Sequence, residues 1–443
     1  MKIKILATSL AAISAFLGGY AAYADTLTEP CRVGLYHLSD GRDVDIDPAD
    51  AGHLRWRLKN GTSGKLTREA DGSWSSTLGW AGRPDGIHVS FGSCSQGRIT
   101  FNGVSGKRDI FDIQNVTFAG AGDVPLAGRL VLPKGRGPVP IVVLVHGAER
   151  MSALQYYSLQ RLFPSDGIGV FVYDKRGTGA SGGEYTQDYT LLARDAVAAV
   201  AEVRTLAGSR VGRVGFQAGS QGGWVAPLAA TLTPVDFIVV SFGLAVSPLA
   251  EDREAIALNM TNHGYGPDVM QKAMEVADAT AAILTSKFQA GYKALAAVQA
   301  KYRAEPWFKN VRGDVTWFIL KTPEAKLRKI GPELLRGVNL DYDPLPVLHK
   351  LETPQLWVFG AEDRDAPYAE TLRRLDRLVQ GGKPIVTAVF PKAEHGIYEY
   401  ETTADGERLS TRNSDGYYAM MRDYILTGHL SGRYGKSVVA PPR

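Results

Sequence analysis

Between Pro138 and Phe242 the chain alternates solid β-branched runs with segments of helical periodicity, and this rhythm restricts the fold more than any other feature. The runs Pro140–Val145, Gly169–Tyr173, Arg213–Phe216 and Asp236–Ser241 read as strands, and Tyr189 to Leu206 repeats leucine, alanine and valine at helical spacing. Strands that are apolar on consecutive residues need cover on both faces, the condition of a mostly parallel sheet in an α/β domain. The rhythm returns at Gln355–Phe359, passes a helical stretch near Pro367 to Val379 and adds Pro384–Phe390. The intervening 245–345 is rich in alanine, lysine and glutamate and predicts helices over 269–281 and 292–304, so a helical cap is inserted into the sheet domain. Gly416 to Leu426 reads as a closing helix, and Arg433 to Arg443 as a loose tail.

Upstream, the texture is short polar-apolar alternation broken by glycine, as in Ile87–Phe91 and Ile99–Phe101, which favours small antiparallel strands. This predicts an N-terminal β-rich module over 25–110. The α/β domain follows over 111–443, entered through a hairpin of Phe111–Phe118 and Val124–Leu132. Two roles for the module stay open: binding an envelope component or glycan, and packing against the larger domain.

The first residues carry an export signal. Lys2 and Lys4 precede an uncharged run from Ile5 to Ala24 that closes on Ala22-Tyr23-Ala24, a small-x-small cleavage site. The expectation is a signal peptide at 1–24, a mature chain from Asp25, and a periplasmic or secreted product without stable membrane insertion. The alternative is that the run stays as an anchor. Export permits Cys31 and Cys94, the two cysteines of the chain, to pair. Closing that loop would stabilise by about 4 kcal/mol in the chain-entropy model; the alternative is two buried thiols. Neither cysteine has the spacing of a redox pair or a zinc site. The net charge of +4, with both signs interspersed, argues against a nucleic-acid partner.

The chemistry gathers where the strands end. Arg213–Phe216 runs into Gln217-Ala218-Gly219-Ser220-Gln221-Gly222-Gly223 and then an apolar helix. Small residues two before and two after Ser220 leave room for a sharp strand-to-helix turn that lifts its hydroxyl clear of the sheet. A serine nucleophile needs a base, and the base an orienting acid. Both appear in order at loops following strands: Gly360-Ala361-Glu362-Asp363, then Glu394-His395-Gly396. Such loops converge on one edge of a parallel sheet. His395 is therefore the expected base and Asp363 the expected acid. Asp365 is the runner-up, more naturally a cap for a helix beginning at Ala366-Pro367. The loop His146-Gly147-Ala148-Glu149 stands opposite the serine turn, so the amides of Ala148 and Gln221 are the expected oxyanion donors. His146 is a poorer base candidate than His395. The glycines of Arg176–Glu184 lack the GKS or GKT ending of a phosphate loop.

Taken together, Val145-His146-Gly147, Tyr173-Asp174-Lys175-Arg176-Gly177-Thr178-Gly179-Ala180-Ser181, Ala218–Gly223, Gly360–Asp363 and His395-Gly396 resemble an α/β-hydrolase. More narrowly, they look like bacterial esterases with a serine-aminopeptidase-like hydrolase domain, over roughly Val116 to Gly428. The resemblance implies that Asp174 and Arg176 brace the loop near the oxyanion strand. The expected activity is hydrolysis of small to medium acyl esters through an acyl-enzyme intermediate, with no metal or organic cofactor. The rivals are an aminopeptidase or amidase, which needs a carboxylate for the substrate ammonium, from Glu149 or a cap acid, and a binding protein with a vestigial site. The cap is expected to act as a lid, with Trp307, Phe308, Trp317 and Phe318 as candidate lining.

Overall fold

The computed structural model describes residues 30–50 and 52–440. The predicted signal peptide and its cleavage site lie outside the described residues. Among the described residues, no helix is long and apolar enough to cross a membrane.

The first eight strands are β1 (Gly34–Leu38), β2 (Asp43–Pro48), β3 (Leu54–Leu58), β4 (Ser63–Arg68), β5 (Trp74–Leu78), β6 (Pro84–Phe91), β7 (Arg98–Phe101) and β8 (Val104–Arg108). Each pairs antiparallel with the next, and β1 also pairs with β8, so the expected small strands form a closed barrel. Alternation explains its section. In β2, Val44 and Ile46 join an interior filled by Tyr36, Trp56, Leu66, Trp74 and Phe101, while Asp45 and Asp47 project outward. The structure joins Cys31, ahead of β1, to Cys94, between β6 and β7, with Cα atoms 5.5 Å apart.

The second body is a nine-stranded sheet built from β9 (Asp112–Ala119), β10 (Pro125–Leu132), β11 (Val139–Val145), β12 (Gly169–Tyr173), β13 (Val211–Gly219), β14 (Phe237–Ser241), β15 (Gln355–Gly360), β16 (Ile385–Phe390) and, beyond a separate hairpin of β17 (Tyr398–Thr402) and β18 (Arg408–Asn413), β19 (Val438–Ala440). Its order is β19-β16-β15-β14-β13-β11-β12-β10-β9. The six strands from β12 to β16 run parallel, while β9, β10 and β19 are antiparallel additions. Ile141, Val143 and Val145 of β11 enter the core on one face, and Val142 and Leu144 the core on the other. The solid apolar runs are thus two interleaved period-2 stripes.

The helices are α1 (Ala153–Tyr156), α2 (Leu159–Leu162), α3 (Tyr189–Ala207), α4 (Gly222–Ala230), α5 (Pro248–Asn262), α6 (Pro267–Thr285), α7 (Tyr292–Tyr302), α8 (Thr316–Lys321), α9 (Glu324–Leu334), α10 (Leu345–Lys350), α11 (Ala369–Gln380) and α12 (Tyr417–Thr427). α3 and α4 cover one face of the sheet, α12 with α1 and α2 the other. From α5 to α9 the chain forms the cap between β14 and β15, with two small apolar cores of its own.

Three sequence expectations are corrected. The tail is not loose throughout: Val438–Ala440 pairs with Val389–Thr387 and covers the open edge of β16. Trp307 and Phe318 are buried in the cap's own two cores, with Phe308 and Trp317 packed against them. Asp365 caps no helix, because α11 begins four residues later at Ala369.

The barrel is tied to the sheet domain by charge and by the β17–β18 hairpin. Arg161 of α2 donates to Asp45 and Asp47 of the barrel, each at 2.5 Å, with both carboxylates fully buried. Trp80 N–H donates to Ser410 O at 2.8 Å and Asn413 N–H to Gly61 O at 3.0 Å, so barrel turns grip the hairpin that follows His395.

Candidate active site

Sheet topology brings the site together. From β11 the chain goes first to β12 on one side and later to β13 on the other, so loops at the carboxyl ends of β11 and β13 open away from each other at a topological switch point. Ser220 follows β13 there with φ of +52°, a left-handed backbone uncommon for a residue with a side chain. The turn is tight because its neighbours are small. A Cβ on Gly222 would come within 2.6 Å of Val145 O, and one on Gly223 within 2.9 Å of Gly243 Cα. α4 starts immediately after, so Ser220 sits at the positive end of a helix.

The predicted residues meet. His395 Nε2 lies 3.2 Å from Ser220 Oγ, and His395 Nδ1 lies 2.9 Å from Asp363 Oδ2. Asp363 is held in turn: its Oδ1 accepts from the N–H groups of Asp365 and Ala366 at 2.9 and 2.8 Å. Asp363 rather than Asp365 is therefore the carboxylate bonded to the imidazole. The ring of Phe242, which sequence reasoning missed, stands edge-on to His395 with centroids 4.9 Å apart. Phe242 directly follows β14 with a positive φ of its own, a position that no local motif announces.

Opposite the serine, Gly147 approaches so closely that an added Cβ would lie 3.3 Å from Ser220 Cβ. Among the described residues, neither the Ala148 N–H nor the Gln221 N–H has an internal acceptor. Two unpaired donors thus flank the serine turn, as anion-binding backbone requires. His146 is buried, with Nε2 3.0 Å from Tyr173 O; burial and the charge of Lys175 push its pKa down to about 4. It is a neutral packing residue rather than a base. Asp174 accepts from Ser152 Oγ at 2.8 Å, Leu154 N–H at 3.1 Å and Ala180 N–H at 2.9 Å. Arg176 pairs with buried Asp195 at 2.6 and 2.7 Å and donates to Ala121 O at 2.9 Å. Both residues hold loops together.

Residues 142–405, more than half of the chain, match the family model described as the alpha/beta hydrolase family. The chain belongs to that family. Among curated proteins it is similar to Esterase FrsA of Escherichia coli, with 34% identity over 110 residues, 24% of this chain and 26% of that protein. The match therefore spans about a quarter of the length of those esterases. Among solved structures, an esterase of Pyrococcus furiosus aligns at 16% identity over 65% of this chain and 83% of its own, with a TM-score of 0.42. An acylaminoacyl peptidase of Pyrococcus horikoshii aligns at 16% identity over 88% of this chain and 57% of its own, with a TM-score of 0.44.

The electrostatics of this alpha/beta hydrolase site favour a charged imidazole at rest. Burial acts to lower the His395 pKa, but the charge and hydrogen bond of Asp363, with Asp365 and Asp314 behind it, push it up to about 9. Burial, then Asp365 and Asp252, push Asp314 itself up to about 7. Glu251 is raised well above its ordinary value, again by burial and then by Asp314, Asp363 and the neighbouring acids. Glu251 and Asp314 belong to the cap, which therefore adds carboxylates to the site that sequence spacing did not reveal.

A base must be neutral to accept a proton, so kcat/KM for hydrolysis is expected to rise with pH until about 9. Asp314 is ionised above about 7, where His395 titrates, so its negative charge helps to retain the imidazole proton. Asp314→Asn is expected to move the acid limb to lower pH, which a pH-rate profile of wild type and variant measures. An unmoved limb would remove Asp314 from the electrostatics of the base.

Proposed function

We propose that the protein is a serine carboxylic-ester hydrolase in which Ser220, His395 and Asp363 form the catalytic triad. The observation that carries this reading is the unbroken hydrogen-bonded line from Asp363 through His395 to a serine hydroxyl presented on a left-handed turn. His395 Nε2 removes the Ser220 proton as Oγ attacks the ester carbonyl. The oxyanion that forms is received by the free N–H groups of Ala148 and Gln221. His395 then gives its proton to the departing alcohol, and in the second half takes one from the water that releases the acid. Asp363 keeps Nδ1–H in place and offsets the imidazolium charge. The substrate is a small to medium acyl ester, since an alcohol asks less of the general acid than an amine does. The signal peptide expected from the sequence supports a periplasmic or secreted location.

Glu251 and Asp314 favour one second reading, an amidase or aminopeptidase whose substrate ammonium is received by cap carboxylates. Asp314 acts on His395 and Glu251 lies within electrostatic reach of Asp363, and neither side chain forms a hydrogen bond or close ion pair among the described residues. Steady-state kinetics on esters and amides of the same acyl group separate the two. We expect kcat/KM to favour the ester by at least about tenfold, a difference of about 1.4 kcal/mol in barrier. A preference for an aminoacyl amide would replace the esterase reading with the peptidase one.

A further inference from the structure

We infer that Lys175, buried behind the oxyanion loop, is a positioning residue that sets the orientation of the Gly147–Ala148 peptide and so aims the Ala148 N–H at the reacting oxygen. The inference rests on the esterase reading for what the N–H receives, and on geometry for how it is aimed. Lys175 is 3% exposed, and its Nζ donates to Gly147 O at 2.5 Å. No described peptide bond is cis, so the Gly147 carbonyl and the Ala148 N–H point in opposite directions across one plane. Fixing the carbonyl on Lys175 leaves the N–H facing away from Lys175 and without an internal acceptor, on a loop whose Gly147 approaches Ser220. The other end of Ala148 is held as well: Tyr185 Oη–H donates to Ala148 O at 2.6 Å, and the Lys175 ammonium lies 4.9 Å from the centre of the Tyr185 ring.

A charged amine at this depth needs compensation, and Glu149 supplies it. Its carboxylate accepts a bond from Tyr157 Oη–H, and the charge of Lys175 helps to hold it below the ordinary carboxylate range against the opposing effect of burial. Burial lowers the Lys175 pKa to about 8, with Glu149 opposing that shift. A lysine that orients the peptide is distinguished from one that serves only as counter-ion to Glu149 by removing both charges together.

The test uses the mature full-length enzyme, Lys175→Met and the charge-balanced double variant Lys175→Met/Glu149→Gln. The measurements are kcat and KM on a short-chain ester, the melting temperature, the rate at which a fluorophosphonate labels Ser220, and the Gly147–Ala148 peptide orientation in a crystal structure of each variant. In both variants kcat is expected to fall about a hundredfold, the scale of one lost oxyanion donor, with KM nearly unchanged and the peptide rotated. A merely structural lysine would lower the melting temperature without that split. Wild-type rates in the double variant, or an unrotated peptide in both, would overturn the inference and leave Lys175 a counter-ion. If wild-type protein neither turns over ester nor labels, the esterase reading falls, while the crystal structures still decide what holds the peptide.

Discussion

Ester turnover by His395→Ala is expected to fall roughly a millionfold in kcat, and pairing it with Ser220→Ala should cost almost nothing more. The non-additivity is the informative part. A serine hydroxyl without its base is a poor nucleophile, and a base without the serine has no proton to take, so the first loss already removes the chemistry of both. Asp363→Asn is expected to be milder, roughly ten-thousandfold, because the imidazole keeps its place but loses the carboxylate that fixes its tautomer and offsets its charge. Measuring kcat for the single and double variants on one ester is sufficient. Two separate losses that multiply in the double variant would mean that His395 and Ser220 act in different steps.

The barrel gives the second large effect. It does not reach Ser220, yet it holds the hairpin that continues from His395. Gly61, with φ of +94°, lies directly against the Asn413 backbone. Asn413 Nδ2 donates to Gly396 O at 3.0 Å, one residue from the base. Trp80 stands edge-on to Tyr398 with centroids 4.8 Å apart. On the hairpin's other side Ser410 Oγ donates to Glu394 at 2.8 Å, and Arg408 donates to Glu362 O at 2.8 Å, joining the loops of the base and the acid. Gly61→Val places a branched side chain where no Cβ fits and on a backbone that disfavours one. It should therefore push the hairpin and move His395. A displacement of about 1 Å at the base costs on the order of a hundredfold in kcat, and that is the expected loss, with a folded protein by circular dichroism. Removal of residues 25–110 should be more severe, because it removes every barrel contact with the hairpin together with the ion pairs of Arg161 to Asp45 and Asp47. Unchanged ester kinetics in Gly61→Val would show that the barrel packs on the hydrolase domain without bracing its site.

These contrasts explain what was legible in the sequence. The parallel sheet could be read because burial on both faces writes itself into consecutive residues such as Ile141 to Val145, and the serine turn because steric demand restricts residues close in sequence, Ala218 to Gly223. Asp363 and His395 could be placed from the rule that loops after parallel strands converge. Barrel closure could not, since pairing β1 with β8 joins segments some 70 residues apart through backbone groups that carry no residue-specific signal. Short strand β19 was hidden for a related reason: three residues have no periodicity to read, and it is the open edge of β16 that recruits them. The cap acids were invisible as site residues because Glu251 and Asp314 lie 112 and 49 residues before Asp363 and are brought near it by packing within the cap. The aromatic residues of the cap misled in the opposite sense. Trp307 and Phe318 signal burial, and burial inside the cap satisfies them without any pocket.

The central claim is that Ser220 is an activated nucleophile, and active-site labelling tests it most directly. Mature protein is treated with a fluorophosphonate at pH 9, where the His395 base is substantially neutral, and the labelled residue is located by peptide mapping. The account predicts one phosphonyl group per chain, on Ser220 Oγ, absent from Ser220→Ala and nearly absent from His395→Ala. Folded wild-type protein that stays unlabelled, or carries the label on another residue, would contradict it.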